Sequence, residues 1–388
     1  MILPNKLDFG MASTTITSNY ARLSPWQARA VLIALLALIG VGLWKSPTPP
    51  TLCDVRLENA KSGDVFLYMT EIKRIHAGEN YYQVAAEELV AQGYPTASVF
   101  NWRTPLPMWL IGKLPDPLVG RLILIAAGIA MLLMAFEAAA REQPNVYRLA
   151  MPLAVLLTGP MLPCFQGDVF VLTEVWAGIM IALSLCAYGV ELRFLGATAA
   201  LAALFLRELA LPYCVLGLAM ALWQRRPKES TVYVVGLIGW TVFYALHCWK
   251  VSHLITAVAE AHEHGWIRFG GLTFIISVTQ MNPCLVLLPV WVTVVFFALS
   301  MVGFAAWQTA WAARITLTGC LYVVAFSIVG QEFNRYWGLM IAPLFCFGIV
   351  RAPAALRDLW HAAQLPILQR LRNFRKFGQF QAVGQNKA

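Results

Sequence analysis

Charge is scarce in this chain, and clustered metal or redox ligands are scarcer. Only 13% of its 388 residues are Asp, Glu, Lys or Arg, against 59% hydrophobic residues. No soluble domain has that balance. The eight cysteines are scattered. Cys164, Cys186, Cys214, Cys248, Cys284, Cys320 and Cys346 lie in or near apolar runs and form no CxxC pair or Cys/His set, so packing is their default role. Cys53 follows Leu52 without the small residues of a lipoprotein cleavage site. No internal repeat or low-complexity run appears, and only Lys45 to Asp116 is both long and hydrophilic.

What is present is apolar sequence, at a mean hydropathy of +0.64. It predicts an all-α, polytopic transmembrane bundle of about ten spans, near 28–44, 118–138, 149–163, 171–190, 194–206, 209–224, 231–248, 284–303, 312–330 and 336–351. No small-x-small site follows the first span, which reads as a retained signal-anchor. Residues 1–27 form a cytoplasmic tail, 28–351 the membrane domain with outer loop 45–116, and 352–388 a basic cytoplasmic tail. With the N-terminus inside, 17 basic and six acidic residues fall on the inner side, leaving 12 basic and 14 acidic outside. The net charge of +9 comes mainly from these inner edges, among them Arg351, Arg357, Arg370, Arg372, Arg375 and Lys376. It indicates topology and contact with membrane lipids, not nucleic acid.

Arg207 and Glu208 break this economy. They sit side by side within about thirty otherwise apolar residues, Phe194 to Trp223. Insertion scales put each charge at about +2.5 to +3.5 kcal/mol at a membrane centre. A continuous helix there would reach roughly 45 Å, against a hydrocarbon core of about 30 Å. Arg193 precedes the segment and Arg225, Arg226 and Lys228 follow it, which places both ends inside. Two short legs with the charged pair at an outer apex satisfy both constraints.

In the outer loop, Ser46-Pro-Thr-Pro-Pro reads as an extended leash. Val65, Leu67, Tyr68, Ile72 and Ile75 give a partial apolar face to a helix over 64–76, ended by Gly78. A second helix is expected over 83–91, ended by Gly93-Tyr94-Pro95, and a short third over 106–114 after Thr104-Pro105. These are surface helices over the bundle. Lys250 to Met281 is a second, partly amphipathic outer segment. Asp64, Arg103, Asp168, Glu174, Arg207-Glu208, His262-Glu263-His264, Glu332, Asn334 and Arg335 are all expected at the outer face. Each has a simpler reading: Asp64 or Asp168 as a helix cap, Arg103 as a partner of loop carbonyls, Arg335 as a snorkelling interfacial side chain. His262 and His264, two apart, point to different faces of a helix, which weighs against zinc.

The layout resembles that of the integral-membrane glycosyltransferases of the C superfamily, over about two thirds of the chain. Gly63-Asp64-Val65-Phe66-Leu67-Tyr68, followed by His76-Ala77-Gly78-Glu79-Asn80-Tyr81-Tyr82, is similar to the aspartate, tyrosine, glycine, tyrosine order of members using polyprenyl-phosphate sugars, such as the polyprenyl-phosphomannose-dependent mannosyltransferases. Leu206-Arg207-Glu208 resembles their basic hairpin turn, and Asn334-Arg335-Tyr336 to Pro343 their late arginine and proline span.

The resemblance implies a multi-pass enzyme of the cell (inner) membrane with its site on the extracytoplasmic side. It would move a sugar from a polyprenyl-phosphate donor to a glycan or lipid acceptor, with inversion. Asp64 would be the catalytic base, and Arg207, Arg335 and Arg103 the donor-phosphate ligands. Tyr68, Asp168, Glu174, Glu208 and His262 would orient substrate. Asp64 lacks the second adjacent acid of some relatives. No cofactor is therefore assigned: a divalent metal is compatible with the family but not indicated by these residues. A transporter or lipid-linked-glycan flippase, and a glycan polymerase or ligase, are the competing readings.

The charge asymmetry generates a test of orientation. A single cysteine at Asn59 should react with a membrane-impermeant thiol reagent added outside intact cells. Labelling only after the inner face is exposed would reverse the topology.

Overall fold

The computed structural model describes residues 18–46, 63–143, 145–255, 259 and 268–364. It is all-helical, with no strand among the described residues. The helices are α1 (Pro25–Trp44), α2 (Asp64–His76), α3 (Tyr81–Ala91), α4 (Pro105–Gly112), α5 (Pro117–Glu142), α6 (Ala150–Met161), α7 (Thr173–Gly189), α8 (Arg193–Leu206), α9 (Leu211–Trp223), α10 (Pro227–Ser252), α11 (Gly271–Gln280), α12 (Val290–Ala306), α13 (Ala310–Ile328) and α14 (Gly338–Ile349), followed by α15 (Ala352–Gln364).

The boundaries are set locally. Ser24 and Gln27 form a reciprocal capping box at α1 with Pro25 in the first turn, where its missing N–H costs nothing. Asp116 caps α5 ahead of Pro117, Asn80 caps α3 and Thr309 caps α13. Gly78 and Gly93 take positive φ after the two helices they end, a conformation open to glycine without strain.

Each of the ten apolar segments carries a helix, but their lengths differ. Four helices, α1, α5, α10 and α13, are by themselves long and apolar enough to cross a membrane. A fifth qualifies only if Glu332–Ile349 is joined to α15 across a 43° bend. At 12 to 17 residues, α6, α7, α8, α9, α12 and α14 reach only about 18–26 Å at 1.5 Å per residue. The segment expected to open at 284 becomes helical only at Val290, because Pro283 and Pro289 bracket a turn. Gln280 fastens that turn through its Nε2, which donates to the carbonyls of Leu285 and Leu288 at 2.6 and 2.9 Å.

α7 and α14 form the centre. Every residue of α14 from Gly338 to Gly348 is buried, as is nearly all of α7, which fits helices that are apolar on every side. α5, α6 and α8 pack around α7, while α12 and α13 pack on α14. Large apolar side chains such as Leu36, Leu122, Leu133, Val155, Val235, Ile238 and Val324 face outward. An outward apolar band of this extent on a helical bundle is the surface a bilayer covers. The fold is therefore that of a helical membrane protein.

Small residues allow the central helices to approach closely. A Cβ at Gly178 of α7 would lie 2.9 Å from the carbonyl oxygens of Leu339 and Met340 of α14. Gly303 of α12 faces Gly348 of α14, and a Cβ there would overlap the Gly348 carbonyl. Ser300 Oγ reinforces that crossing by donating to the Phe345 carbonyl at 3.2 Å. Glycine contacts of this kind are how helices associate where apolar burial gives no advantage over lipid. Gly303→Ala should therefore destabilise the protein by about 1–3 kcal/mol through overpacking against backbone. Gly40→Ala, where no heavy atom lies within 4 Å, should not. Thermal unfolding in detergent compares the two; equal midpoints would remove the α12–α14 crossing from the account.

Candidate functional site

α2, α3 and α4 form a platform across one end of the bundle. Leu67, Tyr68, Ile72 and Ile75 of α2 pack with Tyr81, Ala85 and Leu89 of α3, and with Met108 and Ile111 of α4. The same cluster includes Leu124 of α5, and Val175, Trp176 and Ile179 of α7, so the platform is seated on the central helices. Arg74 ties α2 to α3 through Glu79, Glu87 and Glu88, at 2.5, 2.6 and 2.9 Å. A Cβ at Gly112 would lie 3.1 Å from the Ile72 carbonyl oxygen and closer still to the Ile75 side chain, so glycine there lets α4 sit close against α2.

Between the platform and the bundle lie two adjoining cavities. The first, about 430 Å³, is lined by Asp64, Tyr68, Tyr94, Asn101, Arg103, Asn334 and Tyr336, with Leu67, Leu89 and Leu172 as apolar wall. The second, about 450 Å³, is lined by Arg103, Arg207, Glu208, Asn334 and Tyr336, with Phe100, Leu209, Val329 and Trp337. Arg103, Asn334 and Tyr336 belong to both and form the partition.

Asp64 opens the first turn of α2, but the N-cap is Gly63 and no side chain caps that end. Its carboxylate instead accepts the Tyr94 hydroxyl at 2.8 Å and faces the first cavity. Arg103 leaves a non-helical segment between the Val99–Asn101 turn and α4. Its Nε donates to Tyr68 Oη and one Nη to Tyr336 Oη, both at 2.8 Å, and its other Nη reaches the Phe100 carbonyl at 3.4 Å. Tyr81 Oη donates to the Arg103 carbonyl. The guanidinium is thus oriented by hydroxyls and a carbonyl, none of which neutralises its charge.

Arg207 is arranged differently. It ends α8, where the chain leaves helical geometry before the Glu208–Ala210 turn, and is 1% exposed. Its Nε lies 2.8 Å from Glu174 Oε1, and an Nη lies 2.5 Å from Glu208 Oε1. Glu174, the second residue of α7, is fully buried. The apex expected from sequence is present, but its cation is held between two carboxylates.

The other sequence candidates divide. Tyr68, Glu174 and Glu208 belong to the cavity walls or support them. Arg335 stands on the same turn as Asn334 and Tyr336 but lines neither cavity. Asp168 is exposed beside Arg121, at 3.7 Å, and also lines neither. His262 lies outside the described residues. Tyr94, Asn101, Tyr336 and Asn334 complete the lining. Asn334 is 2% exposed and its Nδ2 has no hydrogen-bond partner. No known protein family, curated protein or solved structure matches this chain.

Glu71 is a further buried acid that the sequence reading passed over. It sits in the apolar stripe of α2, between Leu67 and Ile75, and is 2% exposed with Oε2 unpartnered. Burial pushes its carboxyl from 4.5 up to about 8; Arg103 opposes the rise, and Glu88 and Asp64 add to it. Tyr68 is also driven well above its usual range by burial, against the pull of Arg103. At neutral pH the folded state therefore keeps Glu71 protonated, while the unfolded chain releases that proton near 4.5. The unfolded state binds fewer protons between those values, so stability falls as pH rises from about 4.5 to 8. Glu71→Gln should flatten that fall and gain on the parent at pH 9 relative to pH 5. Thermal unfolding at the two pH values measures it, and parallel pH profiles would mean that Glu71 ionises normally.

Proposed function

We propose that the chain is a membrane glycosyltransferase that moves a sugar from a polyprenyl-phosphate donor to a glycan or lipid acceptor. The ten helices would cross the cell membrane with the Asp64 end on the extracytoplasmic side. The observation that carries the reading is the partition: a carboxylate cavity and a largely apolar cavity share one guanidinium, that of Arg103, whose direct hydrogen-bond partners are all neutral.

The chemistry follows from that division. Phe100, Leu209, Val329 and Trp337 offer an isoprenoid chain apolar surface, and Arg103 offers its phosphate charge-assisted hydrogen bonds. The first cavity, with its phenols and amides, suits the sugar and the acceptor hydroxyl. Asp64 takes the acceptor proton as the hydroxyl oxygen attacks the anomeric carbon. The bond from that carbon to the phosphate oxygen breaks, and its electron pair leaves with polyprenyl phosphate beside Arg103. One displacement inverts the anomeric centre. Asn334 Nδ2 is positioned to donate to either substrate.

This reading moves the phosphate role from Arg207 to Arg103. Arg207 is occupied by Glu174 and Glu208, and a bound anion would compete with both. Its part is to hold the second cavity's floor. A transporter would require the polar groups near the bilayer midplane between broken helices; both cavities instead lie under the platform at one end.

The test uses the full chain in lipid nanodiscs with polyprenyl-phosphate mannose and candidate acceptors, following release of free polyprenyl phosphate. Asp64→Asn should lower turnover by at least about a hundredfold, the scale of a lost general base, with the unfolding midpoint kept. Arg103→Ala should leave little turnover and Arg103→Lys an intermediate rate, because Lys keeps the charge and loses the planar fork. Arg207→Ala should destabilise the protein by about 3–5 kcal/mol, since the fully buried Glu174 loses its cation, as does the partly exposed Glu208. Full turnover in Asp64→Asn, or movement of the intact lipid between leaflets with no glycosidic bond broken, would overturn the proposal.

A further inference from the structure

The end of the bundle remote from Asp64 carries a second built feature. Tyr336, in the wall of the cavities, precedes α14, and Arg351 follows it. The 12 residues of α14 separate them by about 18 Å along the helix. Around Arg351 lies a groove of about 490 Å³, lined by Arg148, Arg351 and Arg357 and walled by apolar residues including Leu149, Leu156 and Ile349. The groove is left where the chain bends by 43° between Glu332–Ile349 and α15.

Among the described residues its arginines are unequally partnered. Arg351 Nη2 lies 2.6 Å from Glu142 Oε2, and the Trp307 indole N–H donates to Glu142 Oε1. The Arg351 guanidinium stacks 4.4 Å from the Trp307 ring centroid. Arg357 pairs with Asp358 at 2.9 Å, and Asp358 also accepts the Ser18 amide at 2.6 Å. Among the described residues, Arg351 and Arg357 thus each meet a carboxylate, while Arg148 meets none. Arg351 is 5% exposed, yet its Nε has no hydrogen-bond partner. A buried guanidinium N–H without an acceptor is costly, and an anion in the groove would satisfy it.

The surroundings indicate where that anion comes from. Trp26, at the start of α1, Tyr147, beside Arg148, Trp223, at the end of α9, and Trp360, on α15, are all more than half exposed. They sit at the same end of the bundle, as aromatic residues do at a bilayer's headgroup level. The groove therefore opens where lipid phosphates lie, and its apolar walls run from there along α6 and α14 toward the hydrocarbon.

We propose that this groove is a binding site for an anionic phospholipid, with the phosphodiester between Arg148, Arg351 and Arg357 and an acyl chain along Leu149, Leu156 and Ile349. A phosphodiester charge would give Arg148 the anionic partner it lacks among the described residues and the Arg351 Nε an acceptor. The site is independent of the transferase reading and is tested without substrate.

The experiment counts lipids retained by the purified full chain, by native mass spectrometry after titration with phosphatidylglycerol or phosphatidylcholine of the same acyl composition. The parent should favour phosphatidylglycerol by roughly tenfold, the scale set by arginines at an anionic headgroup. Arg148→Gln with Arg357→Gln should abolish that preference, and Arg148→Gln alone, at an exposed position, should weaken it. Arg225→Gln with Arg226→Gln, in a separate groove of about 520 Å³ on the α9–α10 turn, should leave it intact. Equal retention of the two lipids by the parent would overturn the site, as would loss of preference only in the Arg225 and Arg226 variant. Displacement of phosphatidylglycerol by millimolar inorganic phosphate would replace the lipid with a free anion.

Discussion

The contact on which the upper half of this molecule depends is the buried ion pair of Arg207 with Glu174, completed by Glu208. It joins the central helix α7 to the break between α8 and α9. An isolated charge at this depth would be prohibitive, and a buried pair is rarely better than neutral against an apolar replacement. Its value is geometric. Once Glu174 is fixed in α7 by packing on every side, Arg207 has one place to go, and the α8–α9 hairpin must break there. The break in turn sets the floor of the second cavity.

That pair also defines, by contrast, what Arg103 is. Arg314 meets Glu229 at 3.4 Å and lies over the Tyr188 ring at 3.5 Å from its centroid. Arg351 meets Glu142. These buried arginines and Arg207 each touch a carboxylate. Arg103 is given hydroxyls by Tyr68 and Tyr336, which orient the guanidinium with no carboxylate in direct contact. Neutral orienting partners around a cation at a cavity partition are the signature expected of an anion ligand, and carboxylate partners that of a strut.

The helices were legible because the signals that set them are local. Apolar runs, Gly78 and Gly93 gave the helices and several of their ends, while the caps at Ser24, Asp116 and Asn80 start α1, α5 and α3 at Pro25, Pro117 and Tyr81, one to three residues before the positions expected from hydropathy. The lengths were less legible. Hydropathy marks where the chain is apolar, but Pro283 and Pro289 and the turn at Glu208 shorten helices inside those runs. At the site, Asp64, Arg103, Arg207 and Glu208 stood out as polar residues that topology sends to one end, and the cavities gather them. Topology does not aim side chains, so Arg335 and Asp168 share that end without lining either cavity. Tyr94 and Tyr336 were hidden because tyrosine is unremarkable in an apolar protein until its hydroxyl is seen on a carboxylate or a guanidinium. Glu71 had a readable signal: a carboxyl in the i+3 and i+4 stripe of α2, where solvent exposure could not be its role.

Glu71 connects the platform to the site's electrostatics. It lies on the same helix as Asp64, just under two turns further along; Asp64 raises the cost of ionising Glu71 and Arg103 lowers it. Held neutral, Glu71 leaves the Arg103 charge undivided and places no second anion behind the platform. Ionised, it would draw on that guanidinium from the buried side, in competition with any phosphate in the second cavity. Burial by the α2–α3–α4 platform therefore does more than complete an apolar cluster: it keeps one carboxyl silent so that one arginine remains available.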